Sequence, residues 1–296
     1  MRVAIAGSTG LIGSAIARTL ASSGHEVVRV GRAGSEVALD LARPARLAPG
    51  ALARCDALVH AAGVTDEDMA DRERAFAKAG QGAQALLDAA RESGVPRLLY
   101  VSSAHVYGPL EGAIDEWHPV DPRSDYARAH LATEHLFDRA AGSGARVLIA
   151  RPCAVFGMPP SLERFARWAL IPFDFPRQAM RGRIVLRNHG AQRRNFVSAH
   201  GVAMLAAWWL EQERPGATVA NAAGPEEMSV YDFAALCARI ATEETGRDCA
   251  VDRPPPREPV GPPLEYRTRV SGHLPGPSLE EHVRALIRAL TKEDSP

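Results

Sequence analysis

The chain has 296 residues, more than one average domain needs and enough to bury a sizeable core. Lysine plus arginine and aspartate plus glutamate each count 35, so the formal net charge is zero; without a basic excess or a run of like charges, nothing favours a nucleic-acid partner or a charged tail. Aromatic residues make up only 6%, so small aliphatic side chains must supply most of the packing.

Cys55, Cys153, Cys237 and Cys249 show no CxxC or metal-ligand spacing. They read as thiols of a reducing compartment, which predicts a cytoplasmic protein and no metal site. Met1 leads directly into RVAIAG, leaving no charged and apolar leader, and no apolar run reaches membrane-spanning length.

In chain order, RVAIAG reads as a strand and is followed by a helix from about Leu11 to Ser23. HEVVRV, DALVHAAG, PRLLYVSS and ARVLIARP are further strands, with the continuous apolar runs of parallel strands buried on both faces. AQALLDAARESG and SDYARAHLATEHL are helical segments between them. The alternation predicts an α/β fold, a parallel sheet covered on both sides. After Pro152 the texture changes. MPPSLERFARWALIPFDFP concentrates prolines and aromatics, VSAHGVAMLAAWWLEQ and SVYDFAALCARIATEE read as helices, VDRPPPREPVGPP as a surface loop, and SLEEHVRALIRAL as a short last helix. The expected organisation is a dinucleotide-binding domain over residues 1–155, rejoined by segments at about 190–220, with residues 156–296 mainly a substrate-binding cap.

GSTGLIG sets Gly7, Gly10 and Gly13 directly after a strand and at a helix start, with Thr9, Leu11 and Ile12 in the same loop. Gly7 permits the tight turn, Gly10 lets the backbone approach a pyrophosphate, and Gly13 permits close helix–sheet packing. The helix N-terminus offers free N–H groups to the phosphates. At the end of the second strand, where a carboxylate would bind a ribose 2′-hydroxyl, stand Gly31 and Arg32. A guanidinium there suits a 2′-phosphate, which favours NADP(H) over NAD(H); an ordinary exposed arginine is the plain alternative. Asp40, followed by Leu41 in VALDLA, is placed to touch the adenine.

These motifs continue with HAAG at His60–Gly63, SSAHVYG at Ser102–Gly108, YARAH, RPCAVFG at Arg151–Gly157 and RRNFVSAHGVA from Arg193. Over nearly its whole length the chain resembles the extended short-chain dehydrogenase/reductases of the NAD-dependent epimerase/dehydratase family. The resemblance implies a Rossmann doubly wound parallel sheet with a smaller C-terminal α/β substrate-binding domain, which commonly holds a nucleotide sugar. It implies cofactor contacts at Ala61, Ala62, Gly63 and Pro152 as well as at Tyr126 and His130. It also implies a homodimer built on the Tyr126 helix and one from about Asp66 to Ser93. By the same resemblance Ser103 and Tyr126 are the catalytic pair. A tyrosine can move a proton to or from a substrate oxygen if its pKa is drawn towards working pH, and Ser103 would share that oxygen.

The chain departs from the family at several positions. His130 stands where the family has a lysine, four residues after Tyr126 and on the same helix face. It can hydrogen-bond a ribose, but an imidazole with a pKa of about 6.5 is mostly neutral at pH 7. Each lost unit of tyrosine depression corresponds to about 1.4 kcal/mol. Ala79 replaces a helix-start asparagine, and Gly201 replaces an acidic residue, with the expected loss of a cap. Ala104-His105 replaces the Asp-Glu pair of the dehydratases, which disfavours dehydration. His105 then either moves a proton on the substrate or shapes the pocket. Arg194 aligns with a diphosphate-binding arginine, or makes an interdomain salt bridge. Phe173, Phe175 and Trp168 wall a ring pocket or pack the cap, and Arg177, Arg181 and Arg183 make the region basic. The function these features suggest is a ketoreductase or epimerase acting on a keto-sugar nucleotide or related carbonyl compound, with neither nucleic acid nor membrane as partner. Two readings stay open beside it: a non-redox enzyme using Tyr126 and His105 for proton transfer, and a cofactor-binding sensor without turnover.

Overall fold

The computed structural model describes residues 1–32, 34–44, 47–256, 261–270 and 276–293. Its centre is a seven-stranded sheet in the order β11-β7-β5-β4-β1-β2-β3. The strands are β1 (Arg2–Ala6), β2 (Glu26–Gly31), β3 (Val37–Ala38), β4 (Ala57–His60), β5 (Arg97–Val101), β7 (Arg146–Pro152) and β11 (Ala217–Ala222), and every neighbouring pair is parallel. The chain runs outward from β1 to β3, then returns to β4 on the other side of β1. The strand order therefore reverses between β1 and β4, where a crevice opens at the carboxyl ends of the strands.

Alternate residues of β1 serve opposite layers, as the two-residue strand period requires. Val3 and Ile5 pack with α1 (Leu11–Ser22) and α6 (Ala199–Leu210) through Ile16, Leu20, Val202 and Leu205. Ala4 and Ala6 face α3 (Ala83–Glu92) and α4 (Asp125–Gly142) through Leu86, Leu87 and Phe137. The sheet and its two helical layers match the expected fold class. The rejoining segment is α6 and β11, which extends to Ala222.

A second, three-stranded sheet is built from β8 (Ala154–Phe156), β10 (Arg193–Ser198) and β12 (Glu226–Ser229). It shares a core with α5 (Ile171–Met180), α7 (Val230–Thr245) and α8 (Leu279–Glu293) through Phe156, Phe196, Phe233 and Val283. Two strand pairs complete the described chain, β9 (Arg183–Val185) with β13 (Ala250–Asp252) and β6 (Ala113–Ile114) with β14 (Glu265–Tyr266). Of the Pro-rich stretch expected as a loop, the first residues belong to β13 and residues 257–260 lie outside the described ones. The helix expected from about Asp66 to Ser93 is divided: a 3-10 turn at Asp68–Ala70, α2 (Arg72–Ala77), a π turn at Lys78–Gly82, then α3. Asp71 caps α2 by accepting from Arg74 N at 3.1 Å. Gly82 is required at the π turn, because a Cβ there would lie 2.3 Å from the Leu41 carbonyl oxygen. The helix start at Ala199 keeps a cap despite Gly201, since Ser198 Oγ accepts from Gly201 N at 2.9 Å. Among the described residues no helix is long and apolar enough to cross a membrane, and no cluster of potential metal ligands occurs.

Among the described residues one ion pair is fully internal. Arg151, near the end of β7, meets Glu134 of α4 through Nε at 2.9 Å and Nη2 at 2.6 Å. Ser102 Oγ donates to the same carboxylate at 2.5 Å, and the guanidinium lies 4.7 Å from the Tyr107 ring centroid. Removing one member leaves the other charge buried alone, which typically costs about 3–5 kcal/mol. We expect Glu134→Gln to lower unfolding free energy by about that amount in urea titration, and the apolar double variant Glu134→Leu/Arg151→Met to recover most of the loss.

Candidate active site

The crevice holds a cavity of about 820 Å³ that runs from the β1–α1 loop into the second sheet's layer. At the near end its wall is Gly7 and Thr9–Ile12, with Ala61–Gly63 opposite and Pro152 beyond. Gly7 adopts φ +87°, and a Cβ there would meet the Ala61 carbonyl carbon at 2.8 Å. Gly13 lies under the loop, where a Cβ would stand 2.1 Å from Gly7 O. Gly10 is the N-cap of α1, with no side-chain cap and no acidic residue in the first turn. The first amides of α1 therefore keep their hydrogen-bonding capacity for an anion. This cradle fits the diphosphate of a dinucleotide.

Arg32, Asp40 and Leu41 are not on the cavity wall. Leu39 N donates to Gly31 O at 2.6 Å, and Arg32 and Asp40 follow the carboxyl ends of β2 and β3. Arg32 is exposed. Asp40 Oδ1 accepts from Ala42 N at 3.0 Å, and Leu41 is buried with its carbonyl against Gly82.

Ser103, His105 and Tyr126 come together at the middle of the cavity. Ser103 caps the 3-10 turn Ala104–Tyr107, accepting from His105 N at 3.3 Å. Ser124 caps α4, accepting from Ala127 N at 3.2 Å, which puts Tyr126 in the first turn. The His105 and Tyr126 rings meet edge-on with centroids 5.9 Å apart. Burial raises the Tyr126 pKa; the Arg167 charge and the Ser103 hydroxyl pull it down, and Asp66 pushes it up. Desolvation of the ring lowers the His105 pKa, with the Arg194 charge adding to the effect, although the residue as a whole is exposed. At neutral pH the imidazole is therefore uncharged and the phenol protonated.

His130 is also on the wall, with its ring 4.6 Å from that of Tyr126. Both its nitrogens are occupied, Nε2 by the Val64 carbonyl at 3.2 Å and Nδ1 by the Tyr100 hydroxyl at 2.6 Å. A carbonyl can only accept, so Nε2 carries the hydrogen and Nδ1 accepts from Tyr100. Burial pushes the His130 pKa down to about 3. His60, stacked on Tyr100 with centroids 5.2 Å apart, is likewise pushed to about 3 by burial. The ring at position 130 thus supplies no positive charge at neutral pH. Ala79 lies beside the same helix, where its carbonyl accepts from Thr133 Oγ1 at 2.9 Å.

Towards the cap the wall includes Arg194, whose Nη1 donates to the Arg193 carbonyl at 2.8 Å. Among the described residues Arg194 makes no salt bridge; it shares the wall with Arg187, Asn188 and Gln192, and its charge reaches His105. Phe175 lines the cavity, whereas Phe173 is buried and Trp168 lies under the Arg177 guanidinium at 4.8 Å. Arg177, Arg181 and Arg183 are off the wall, and Arg183 pairs with Asp252. The wall residues that sequence reasoning missed include Thr65, Asp66, Lys78, Arg167 and Arg187. They sit in loops or at a helix irregularity, where no periodicity marks them.

A Gly13→Ala variant should lose nicotinamide-dinucleotide affinity, measured by fluorescence titration, and about 1–3 kcal/mol of stability from overpacking. The histidines give a pH dependence. With a folded pKa of about 3 against 6.5 unfolded, His130 takes its proton earlier in the unfolded chain. Stability is complete above about 6.5 and falls as pH drops through the window down to about 3. His130→Gln should flatten the slope of unfolding free energy near pH 5 by one proton, about 1.4 kcal/mol per pH unit.

The sequence profile of the NAD dependent epimerase/dehydratase family matches residues 3–223. Sterol demethylase protein B from Methylococcus capsulatus is 29% identical over 212 residues, 67% of this chain and 60% of that protein. The 4-hydroxy-2-methyl-3-oxo-4-farnesyl-3,4-dihydroquinoline-1-oxide ketoreductase from Stigmatella aurantiaca is 30% identical over 174 residues, 53% of this chain and 51% of that protein. The chain thus spans about half to three-fifths of the length of these relatives. UDP-glucuronic acid 4-epimerase from Bacillus cereus, solved with UDP-glucuronic acid and NAD, shares the fold with a TM-score of 0.80 at 19% identity, covering 99% of this chain and 100% of that one. With the glycine cradle, the reversed strand order and a family profile spanning the whole parallel sheet, this chain belongs to the NAD dependent epimerase/dehydratase family.

Proposed function

We propose that the protein is an NADP(H)-dependent ketoreductase or epimerase acting on a keto-sugar nucleotide or a related carbonyl compound. The observation that carries this reading is the meeting of Ser103, His105 and Tyr126 at the point where the dinucleotide cradle opens into the cap. A bound nicotinamide would supply or accept the hydride. Tyr126 would hold the proton that enters or leaves the substrate oxygen, and Ser103 would hydrogen-bond that oxygen. His105, its pKa lowered by desolvation of the ring and by the Arg194 charge, can accept a proton from a carbon beside the carbonyl, which epimerisation needs. Arg194 offers a guanidinium fork to a diphosphate. Arg32, exposed at the edge of β2 with Gly31 in place of a carboxylate, supports the 2′-phosphate preference. The ketoreductase activity named for the Stigmatella aurantiaca relative supports the reaction class. The edge-on contact of His105 with Tyr126 also suits a non-redox proton-transfer enzyme, and one experiment separates the two.

In assays with NADPH or NADH and a panel of 4-keto-deoxysugar nucleotides, nicotinamide absorbance should change as product forms. Tyr126→Phe should reduce kcat by about 10²–10⁴-fold while cofactor affinity is kept. Product without any absorbance change or trapped oxidised intermediate would favour the non-redox enzyme, and no turnover with either cofactor would sink the proposal. Arg32→Ala should weaken NADPH binding by roughly 10–100-fold and leave NADH nearly unaffected, from the loss of charge-assisted hydrogen bonds worth about 1.5–3 kcal/mol.

A further inference from the structure

His130 leaves Tyr126 without the cation that its sequence position would hold, and the cavity wall carries four others, Lys78, Arg167, Arg187 and Arg194, of which Arg167 weighs most on Tyr126. Lys78 is committed, with its Nζ 2.7 Å from Asp68 Oδ2, an oxygen that also accepts from Thr65 N at 2.7 Å. Arg167 is not. Its Nε is buried with no hydrogen-bond partner. The nearest carboxylate oxygens are Asp66 Oδ2 at 3.7 Å from Nη2 and Glu67 Oε2 at 3.9 Å from Nε, both beyond hydrogen-bonding length. The Nε–H therefore remains available, while the guanidinium already acts on Tyr126 by charge and by hydrogen bonding.

Arg167 comes from the turn between β8 and α5, on the cap side, and faces Tyr126 and Ser103 across the same cavity. We propose that Arg167 is the positioning cation of this site, stabilising the Tyr126 phenolate in place of a lysine on the tyrosine's own helix. The inference rests on the role given to Tyr126 above. When a ketone is reduced with hydride from the nicotinamide, Tyr126 gives its phenolic proton to the new alkoxide oxygen and is left as a phenolate. That anion sits in a buried site where an uncompensated charge is costly. Arg167 offsets it, and solvent later returns the proton. A guanidinium suits this better than an imidazole, because it stays charged at any working pH. The charged groups facing Tyr126 from the packed elements are Arg167 and Asp66, and they act in opposite directions. Ser103 and His105 face it as neutral groups.

The test reads Tyr126 directly, by NMR titration of isotope-labelled tyrosine ring carbons with Tyr126→Phe assigning the signal. Arg167→Gln should raise the Tyr126 pKa by about one pH unit or more, whereas Asp66→Asn should lower it. Arg167→Lys should hold it near the wild-type value. Arg167→Met, which keeps the aliphatic stem, replaces the glutamine variant if that one fails to fold. In turnover assays the pH profile of kcat should move with the titration, with KM changed less than kcat. A Tyr126 pKa unmoved by either uncharged substitution, or moved in the same direction by Arg167→Gln and Asp66→Asn, would overturn the inference. The titration needs no substrate, so its failure is distinct from failure of the proposed function, which shows as Tyr126→Phe retaining full activity.

Discussion

The site depends on the buried pair between Arg151 and Glu134. Glu134 lies two helical turns beyond Tyr126 on α4, and its carboxylate takes both the Arg151 fork from β7 and the Ser102 hydroxyl from the end of β5. Ser103 is the next residue. One carboxylate thereby sets the distance between the strand end that carries Ser103 and the helix that carries Tyr126. The network continues outward: Tyr107 donates to Asn221 Oδ1 at 2.8 Å, and the Tyr266 hydroxyl, with one hydrogen to share, lies 2.7 Å from the Arg151 carbonyl and 3.0 Å from Asn221 Oδ1. These contacts fasten β14, and with it the last part of the cap, to the carboxyl ends of β7 and β11. A fully satisfied buried network of this kind contributes more to a single geometry than to net stability.

Beneath Ser103 and Tyr126 lies a second arrangement, a column of Phe137, Tyr100, His60 and His130 rings. An ammonium at position 130 would have to replace a ring that accepts from the Tyr100 hydroxyl and donates to Val64. The surroundings are too desolvated to keep an imidazole charged, as the depressed His130 and His60 pKa values indicate. His130 has thus become part of the floor. It also fixes Gly63, since a Cβ there would lie 3.1 Å from His130 Cε1. Substitution of the lysine is consequently coupled to the packing below it and cannot be treated as a simple loss of charge.

Most of the central sheet was legible in the sequence because its strands are apolar on both faces and its first loop requires glycine for steric reasons. RVAIA and RVLIARP need no partner information to be read as buried strands. The second sheet was not legible, because β8 and β12 have three and four residues and draw their order from β10 between them. The division of the Asp66–Ser93 segment was equally hidden, since the Gly82 contact that requires it involves Leu41, far away in the chain. Ser103, His105, Tyr126 and Arg194 could be singled out as candidates because they sit in local motifs, and the fold brings them to one cavity. Arg167 was not, because its partner is reached only through the fold.

The origin of Arg167 has a consequence for how such a site works. A lysine on α4 would act on Tyr126 whatever the cap does, since both would ride on one rigid helix. Arg167 is carried by a turn between β8 and α5, and its own carboxylate contacts are the long ones to Asp66 and Glu67. Those two carboxylates lie on the loop after β4, which also lines the cavity at Thr65 and Asp66. If Arg167 stabilises the Tyr126 phenolate as proposed, its charge reaches the tyrosine only while the turn that carries it is seated against this loop. A lysine on α4 would hold its place beside Tyr126 through the helix alone.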